Sequence, residues 1–345
     1  GELLDRALET KDLPAGLRQR AADAYMLLGQ NSKAIDLYVK LVQEYPQSIP
    51  IRERLADLFL QSRDAKKAAE HMEALIREEP GKYPQAYLIL GNIAMQEGKF
   101  KEAEDHLRKA VVLTPKNEPA YYDLAVAQIN GGRAREGLET LDEARGRFRD
   151  TFQTEFFAGI AHSRLKEYSN AVHRFTSAEV IAAARDTNRL THLFYFQLGA
   201  SHERNKDLDA AERYFRKSLA IAPGFAEALN YLGYMWAEAG IRLKEALPLI
   251  EKAVELEPKN AAFLDSLAWV HFKLGDPKEA MVWMKKCIEH SAEPDPTLFD
   301  HLGDIHAALG NLKEAAGAWK KSIEIEPSSP IETKLKDAEK RLSSP

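Results

Sequence analysis

The chain is short of most features that would announce chemistry. One cysteine, Cys287, stands among 345 residues, which excludes an internal disulfide framework. No run of eighteen apolar residues occurs, so no segment is fit to span a bilayer as a helix. Neither sign of charge dominates: 48 Lys and Arg face 53 Asp and Glu, a formal net charge of −5. Bulk electrostatics therefore favour neither nucleic acid nor an anionic membrane. There is no P-loop, no His-Glu-x-x-His, no Cys-x-x-Cys and no Gly-x-Ser-x-Gly. No signal-peptide pattern is visible, and Gly1 rather than methionine at the start points to a processed form or a piece of something longer.

What is present is a globular composition, 45% hydrophobic and 29% charged, and a period. Leu229, Leu232, Gly233 and Trp236 form a run that Ala246, Ile250, Ala253 and Pro258 close, and a new unit opens at Ala261. The same pattern recurs, at 34 to 35 residues in all but one unit, from Ala15, Ile49, Pro84, Glu118, Phe152, His192, Ala226, Ala261 and Pro296. The eighth position of each unit is always small: Ala22, Ala56, Gly91, Ala125, Gly159, Gly199, Gly233, Ala268 and Gly303. A second small residue follows, at Ala34, Ala68, Ala103, Gly137, Ala171, Ala211, Ala246, Ala280 and Ala315. Two small residues facing each other let two helices cross with their backbones close. Pro46, Pro80, Pro115, Pro223, Pro258 and Pro327 end second helices, because proline cannot continue the hydrogen-bond ladder.

On these residues the chain resembles the tetratricopeptide repeat (TPR) proteins over residues 15–329. Leu-Asn-Tyr-Leu-Gly-Tyr and Leu-Asp-Ser-Leu-Ala-Trp, in the seventh and eighth units, look most like bacterial members. The resemblance implies an all-α fold, a right-handed superhelical solenoid of about nine helix–turn–helix repeats with a C-terminal capping helix. First helices would line its concave side. Independent of the resemblance, a single 34-residue pair cannot bury its apolar face alone and needs its neighbours. The organisation expected is a partial repeat over 1–14 consisting of a second helix only, nine units over 15–329, and a capping helix and tail over 330–345.

Two units depart from the pattern. The fourth carries Gly131-Gly132 in its turn, Gly137 where Ala is expected and Arg149 where Pro is expected, which reads as a hinge or as ordinary drift. The fifth is 40 residues long, and its extra six residues extend the second helix by about 9 Å. That extension marks a contact surface or changes the local pitch.

Candidates for chemistry are few. His162, His202, His271 and His306 share one repeat position and form a spaced row, which favours packing over metal ligation. Cys287 sits where a small buried residue belongs. Arg133, Arg135, Arg145, Arg147 and Arg149 cluster in the fourth unit, and acids interrupt them as on a solvated face. The reading is no catalytic residue, no metal and no cofactor.

In TPR proteins that hold peptides, contacts come mostly from positions 2, 5, 9, 12 and 13 of first helices. Carried onto this chain, the resemblance gives a partner-binding groove of Leu88, Asn92, Tyr122, Val126, Phe156, Ile160, Phe196, Asn230, Tyr234, Trp269 and Phe272. Its two ends are acidic, as at Glu53 and Asp300. No fifth position is basic, which departs from the members that clamp a C-terminal carboxylate. An apolar stripe of this kind is rarely left bare without use; the alternative is that several of these side chains pack against the next first helix. The function expected is a non-catalytic protein-interaction scaffold that takes a peptide or helix of another protein and supports assembly of a complex. The alternative is an accessory array of a larger enzyme or of envelope or secretion machinery. Homo-oligomerisation through the N-terminal edge is a further option. Compartment stays open between a bacterial cytoplasm and a periplasm or envelope reached after loss of an upstream signal.

Overall fold

A computed structural model describes residues 2–8 and 13–343. Among the described residues there are twenty α-helices, one short 3-10 turn and no strand. Two compact units, Gly1–Glu167 and Tyr168–Pro345, divide the chain. In the first, α1 (Glu2–Leu8) precedes the pairs α2 (Ala15–Leu27) and α3 (Asn31–Glu44), α4 (Ile49–Gln61) and α5 (Ala65–Glu78), α6 (Pro84–Gln96) and α7 (Phe100–Leu113), and α8 (Glu118–Asn130) and α9 (Ala134–Arg147); α10 (Phe152–Arg164) follows. In the second, α11 (Tyr168–Arg185) precedes α12 (His192–Arg204) and α13 (Leu208–Ile221), α14 (Ala226–Glu238) and α15 (Leu243–Leu256), α16 (Ala261–Lys273) and α17 (Pro277–His290), and α18 (Pro296–Ala308) and α19 (Leu312–Ile325); α20 (Ser329–Ser343) closes it. The stretch 9–12, inside the expected partial repeat, and residues 344–345 of the expected tail lie outside the described residues.

Local chemistry sets each helix end. Pro50, Pro84, Pro119, Pro277 and Pro296 sit in first turns, where the missing N–H costs nothing. Asp64, Asp207, Asn260, Asp276 and Asp295 cap helices with side-chain oxygens that accept from backbone N–H groups. The turn within every pair is a Schellman closure. Gln30 N donates to Tyr25 O, Lys99 N to Ala94 O, Ile241 N to Trp236 O and Asn311 N to His306 O, each at 2.9 Å. Such a closure needs one left-handed residue. Gly98 and Gly240 supply it without strain, whereas Arg63, Lys166 and Lys206 adopt it at φ 59°, 60° and 67°.

The helix crossings need their small residues. A Cβ built on Gly233 would lie 2.6 Å from Ile250 Cγ1 and 3.0 Å from Ala246 O. Gly137, on the second helix of its pair, sits as tightly, 2.6 Å from Ile129 Cγ1. The glycine expected to soften the fourth pair therefore occupies a close crossing.

Buried tyrosine, leucine and alanine side chains fill the space between pairs. Tyr25, Tyr38, Leu41 and Leu55 form one cluster in the first unit, with Leu4 and Leu8 of α1 against it. Trp236, Ile250, Leu264, Met284 and Cys287 belong to one cluster of the second. Ile331, Leu335 and Ala338 of α20 cover Ala315 and Trp319 of α19, so the C-terminal helix caps that end. α11 runs 18 residues against 14 for α13. The gain in the helix is thus four residues, about 6 Å rather than about 9 Å, because Asp186–Leu190 fold into the 3-10 turn instead.

Candidate functional site

Within the second unit, α14, α16 and α18 are first helices of successive pairs and their residues keep a common register. Asn230, Asp265 and Asp300 stand 35 apart, as do Tyr234, Trp269 and Asp304. Each helix thus presents an i, i+4 couple on one face. A cavity of about 450 Å³ opens there. Asn230, Tyr231, Tyr234 and Met235 of α14 and Ala261, Ala262, Asp265 and Ser266 of α16 form its walls. Glu203 and Arg204 from the end of α12, Cys287 of α17, and Ser291, Glu293, Asp295, Thr297 and Leu298 around the start of α18 complete it.

Four carboxylates line this space, and Arg204 is the one basic side chain among the lining residues. Arg204 is already engaged, with Nε 3.3 Å from Glu203 Oε2. Asp295 caps α18, accepting from Thr297 N at 2.7 Å and Leu298 N at 3.1 Å. Asp265 accepts from His301 Nδ1, which lies 3.0 Å from both of its oxygens. The His301 ring is 3% exposed and stacks on Trp269 with centroids 3.9 Å apart. Burial pulls its pKa down, but Asp265, then Asp300 and Glu238, outweigh burial and hold it above the ordinary histidine value. Burial, then Asp265 and Asp295, push the Cys287 thiol up to about 12, so it stays protonated and inert, donating to Ala261 O at 3.2 Å. Burial, then Glu238, Asp265 and Glu203, drive the Tyr234 phenol upward as well. One polar group is left over: Asn230 is 6% exposed and its Oδ1 has no hydrogen-bond partner.

The residues expected to form a groove fall into different roles. Asn230 and Tyr234 line the cavity. Trp269 is buried and does not line it, donating Nε1–H to Glu238 Oε2 at 2.7 Å, with Phe272 stacked on its ring at 5.0 Å. Phe196 packs edge-on against Tyr231 at 5.0 Å and Phe225 at 5.3 Å. In the first unit, Tyr122 is buried and its hydroxyl meets Glu118 and, at 2.8 Å, Thr151 Oγ1. Asn92 donates to Asp123 at 3.2 Å. Leu88 and Ile160 pack against the cluster around Leu124, Val126 is half-buried, and Phe156 stacks on Phe152 at 5.4 Å.

A separate cavity of about 480 Å³ belongs to the first unit, lined by Gln19, Asp23, Glu53, Arg54, Asp57 and Tyr83 among others. Here Tyr38 donates to Asp23 at 2.7 Å, Tyr83 donates to Glu53 at 2.5 Å, and Arg54 stands 3.8 Å from Asp23.

Sequence reasoning did not assemble Glu203, Arg204, Cys287 and the 291–295 turn into a site. Glu203 and Arg204 are the twelfth and thirteenth residues of α12, contact positions in the resembled family, so a signal for them existed. The turn belongs to no repeat position and gave none. Among the described residues no group of three or more His, Cys, Asp or Glu is placed to hold a metal ion, and no helix is long and apolar enough to cross a membrane. His162 and His202, from the spaced row, bond instead to Glu167 at 2.7 Å and Asp207 at 3.2 Å.

Comparison with known proteins adds the following. Family models described as tetratricopeptide repeat match residues 15–58, 53–118, 94–155, 192–225 and 261–289. A TPR repeat-containing protein of Pseudomonas aeruginosa, PA4667, is 27% identical over 64% of this chain and 36% of its own length. The human protein O-mannosyl-transferase TMTC3 is 22% identical over 82% of this chain and 32% of its own. The chain thus spans about a third of the length of these relatives. A solved tetratricopeptide repeat protein from Parabacteroides merdae superposes with a TM-score of 0.59 at 18% identity, over 74% of this chain and 99% of that one, a likeness of fold.

Proposed function

We propose, from the premise that this chain belongs to the tetratricopeptide repeat family, that it works without catalysis by holding a segment of a partner protein on the inner face of its first helices. That it is a protein-interaction scaffold follows from the family; the mode of binding is our reading. One observation carries it: a cavity of about 450 Å³ to which three successive first helices bring aromatic, apolar and polar groups together. Tyr231, Tyr234, Met235 and Leu298 offer apolar surface there; Phe196 packs against Tyr231, and Trp269 against the His301 ring that holds Asp265. In the first unit, Leu88, Asn92, Tyr122, Val126, Phe156 and Ile160 are proposed to serve a partner segment in the same way.

The test is a photo-crosslinking amino acid placed at Ala262, which is exposed and lines the cavity, with Glu255 on a second helix as control. Cross-links to one partner segment from residue 262 and not from 255 support the reading. Equal yields from both overturn it. Self-association through the N-terminal edge, where Leu17 is 46% and Leu27 90% exposed, is a subsidiary proposal that light scattering decides.

A second reading draws on the chain's spanning about a third of relatives such as a mannosyl-transferase. It makes this array the accessory part of a larger enzyme or envelope machine. Reading the source gene beyond both ends of the chain tests it, and a frame encoding no further domain removes it.

A further inference from the structure

The second-unit cavity carries two features that a generic apolar groove does not explain. The first is charge: of the four lining carboxylates, Glu203 is bound to Arg204 and Asp265 to the buried His301, which leaves Glu293 and Asp295. Among the described residues Glu293 and Asp295 have no ion pair, and Asp265 and Asp295 line the same cavity and both act on the Cys287 thiol. The second is Asn230 Oδ1, a buried acceptor with nothing donating to it. A buried amide oxygen left without a donor is unfavourable, and such groups are normally satisfied. Both features want the same thing, a cation rich in N–H groups.

The chain shows what satisfies this register. Asp300 and Asp304 on α18 occupy the places that Asn230 and Tyr234 occupy on α14 and that Asp265 and Trp269 occupy on α16. Lys334 of α20 reaches across to them, its Nζ 2.8 Å from Asp300 Oδ1 and 2.8 Å from both oxygens of Asp304. At the end of the unit, an ammonium from the chain's own next helix thus seats on the couple that the register provides. In the middle of the unit His301 takes Asp265, and among the described residues no side chain donates to Asn230 Oδ1.

We propose that the cavity is a receptor for a lysine or arginine side chain on the partner segment. The cationic head donates to Asn230 Oδ1 and sits among Asp265, Glu293 and Asp295, and its aliphatic stem lies along Tyr231 and Tyr234. This deepens the groove reading and rests on it. An acidic partner or a carboxylate terminus is disfavoured by the same charges.

The experiment selects a random ten-residue peptide library on the full chain at low salt, then titrates synthetic copies of enriched peptides. The expected peptides carry a basic residue whose replacement by citrulline or norleucine weakens binding about tenfold or more. Asn230→Leu should give a similar loss. Glu293→Gln, at an exposed position that carries no fold, should give about threefold, and affinity should fall as salt rises. Peptides that lose affinity in Tyr234→Ala but are indifferent to neutral replacement of their basic residue would leave the groove standing and overturn the cation site. Basic peptides indifferent to Asn230→Leu and Glu293→Gln would also overturn it. Peptides indifferent to Tyr234→Ala as well, or no enrichment at all, would overturn the groove in this unit. Hydrogen exchange on each variant checks that α14 and α16 stay protected.

Discussion

The two units build similar cavities and use their acids differently. In the first, Asp23 and Glu53 are taken by Tyr38 and Tyr83, and none of the residues lining the cavity has a buried polar atom without a partner. In the second, Asn230 is left with an unused acceptor, and among the described residues Glu293 and Asp295 lie without a cation. The difference is one of side-chain supply. Tyrosines at Tyr38 and Tyr83 reach inward in the first unit. The corresponding stretches of the second carry Ile250 in its core and Asp295 turned to its own helix cap. The buried polar atoms of the first cavity are all satisfied, so it has less to gain from a polar guest.

The largest effect should come from the scaffold that holds this contrast in place. Gly233→Val sets a branched side chain where even a Cβ meets Ile250 and the Ala246 carbonyl. It should cost about 3 kcal/mol through overpacking. Hydrogen exchange should show protection lost in α12–α17 and kept in α4–α9. Uniform loss in both units would mean that they do not differ in their dependence on local packing.

Next is a difference in the sign of pH dependence. Burial lowers the pKa of His71 and His106 in the first unit, so each of these favours the folded state at higher pH. His301 is raised despite burial because Asp265 faces it, with Asp300 and Glu238 beyond. Its contribution is full below the unfolded histidine value and is lost as pH rises through the folded one. His202 and His306, lowered by burial, oppose it within the same unit, and Asp304, raised by burial, acts with it. The wild-type profile therefore mixes signs, and the variant isolates His301. His301→Gln should cost about 2 kcal/mol near pH 5.5 and clearly less near pH 8.5. Urea midpoints at the two pH values measure it, and a cost that grows with pH would show the imidazole to be neutral.

How much of this the sequence made readable depends on what kind of constraint was involved. The helical pairs were legible because the crossing residues, such as Gly233 with Ala246, and the turn residues, such as Gly240, recur at fixed spacing and answer to backbone geometry. The couple Asn230 and Tyr234 was legible for the same reason. Trp269 and Phe196 were legible as inward-facing residues, but not their depth, since that depends on His301 and Tyr231 from other pairs. The orphaned oxygen of Asn230 had no signature, because a missing partner is a property of the space around it. The 291–295 turn lies between repeat positions, where the period is silent.

Opposite signs of stability give the sharpest test of the contrast, with smaller numbers. Asn230→Leu removes an unsatisfied acceptor and keeps the volume, so the free protein should gain about 1 kcal/mol while losing its guest. Glu53→Gln in the first unit weakens the bond from Tyr83 and should lose about 1 kcal/mol. Denaturant midpoints of the two variants should move in opposite directions. A loss for Asn230→Leu would mean that its amide is satisfied in solution and that the two cavities are alike.

The smallest effect should be the one the units share. Arg63 and Lys206 each sit in the left-handed turn that Gly98 and Gly240 fill elsewhere. A side chain at that φ brings Cβ against the following carbonyl, which costs about 1 kcal/mol. Glycine removes the clash but gives the unfolded chain more freedom, which recovers part of that sum for the unfolded state. The net expected for Arg63→Gly and for Lys206→Gly is a gain of about 0.5 kcal/mol each. Because the Schellman closure is the same at both places, with Asp64 N to Phe59 O at 2.8 Å and Asp207 N to His202 O at 2.9 Å, the two gains should match. Thermal melts of the two variants and of their double compare them. A gain at Arg63 and a loss at Lys206 would place a role for the lysine beyond the turn, and the difference between the units would then reach past their cavities into the turns themselves.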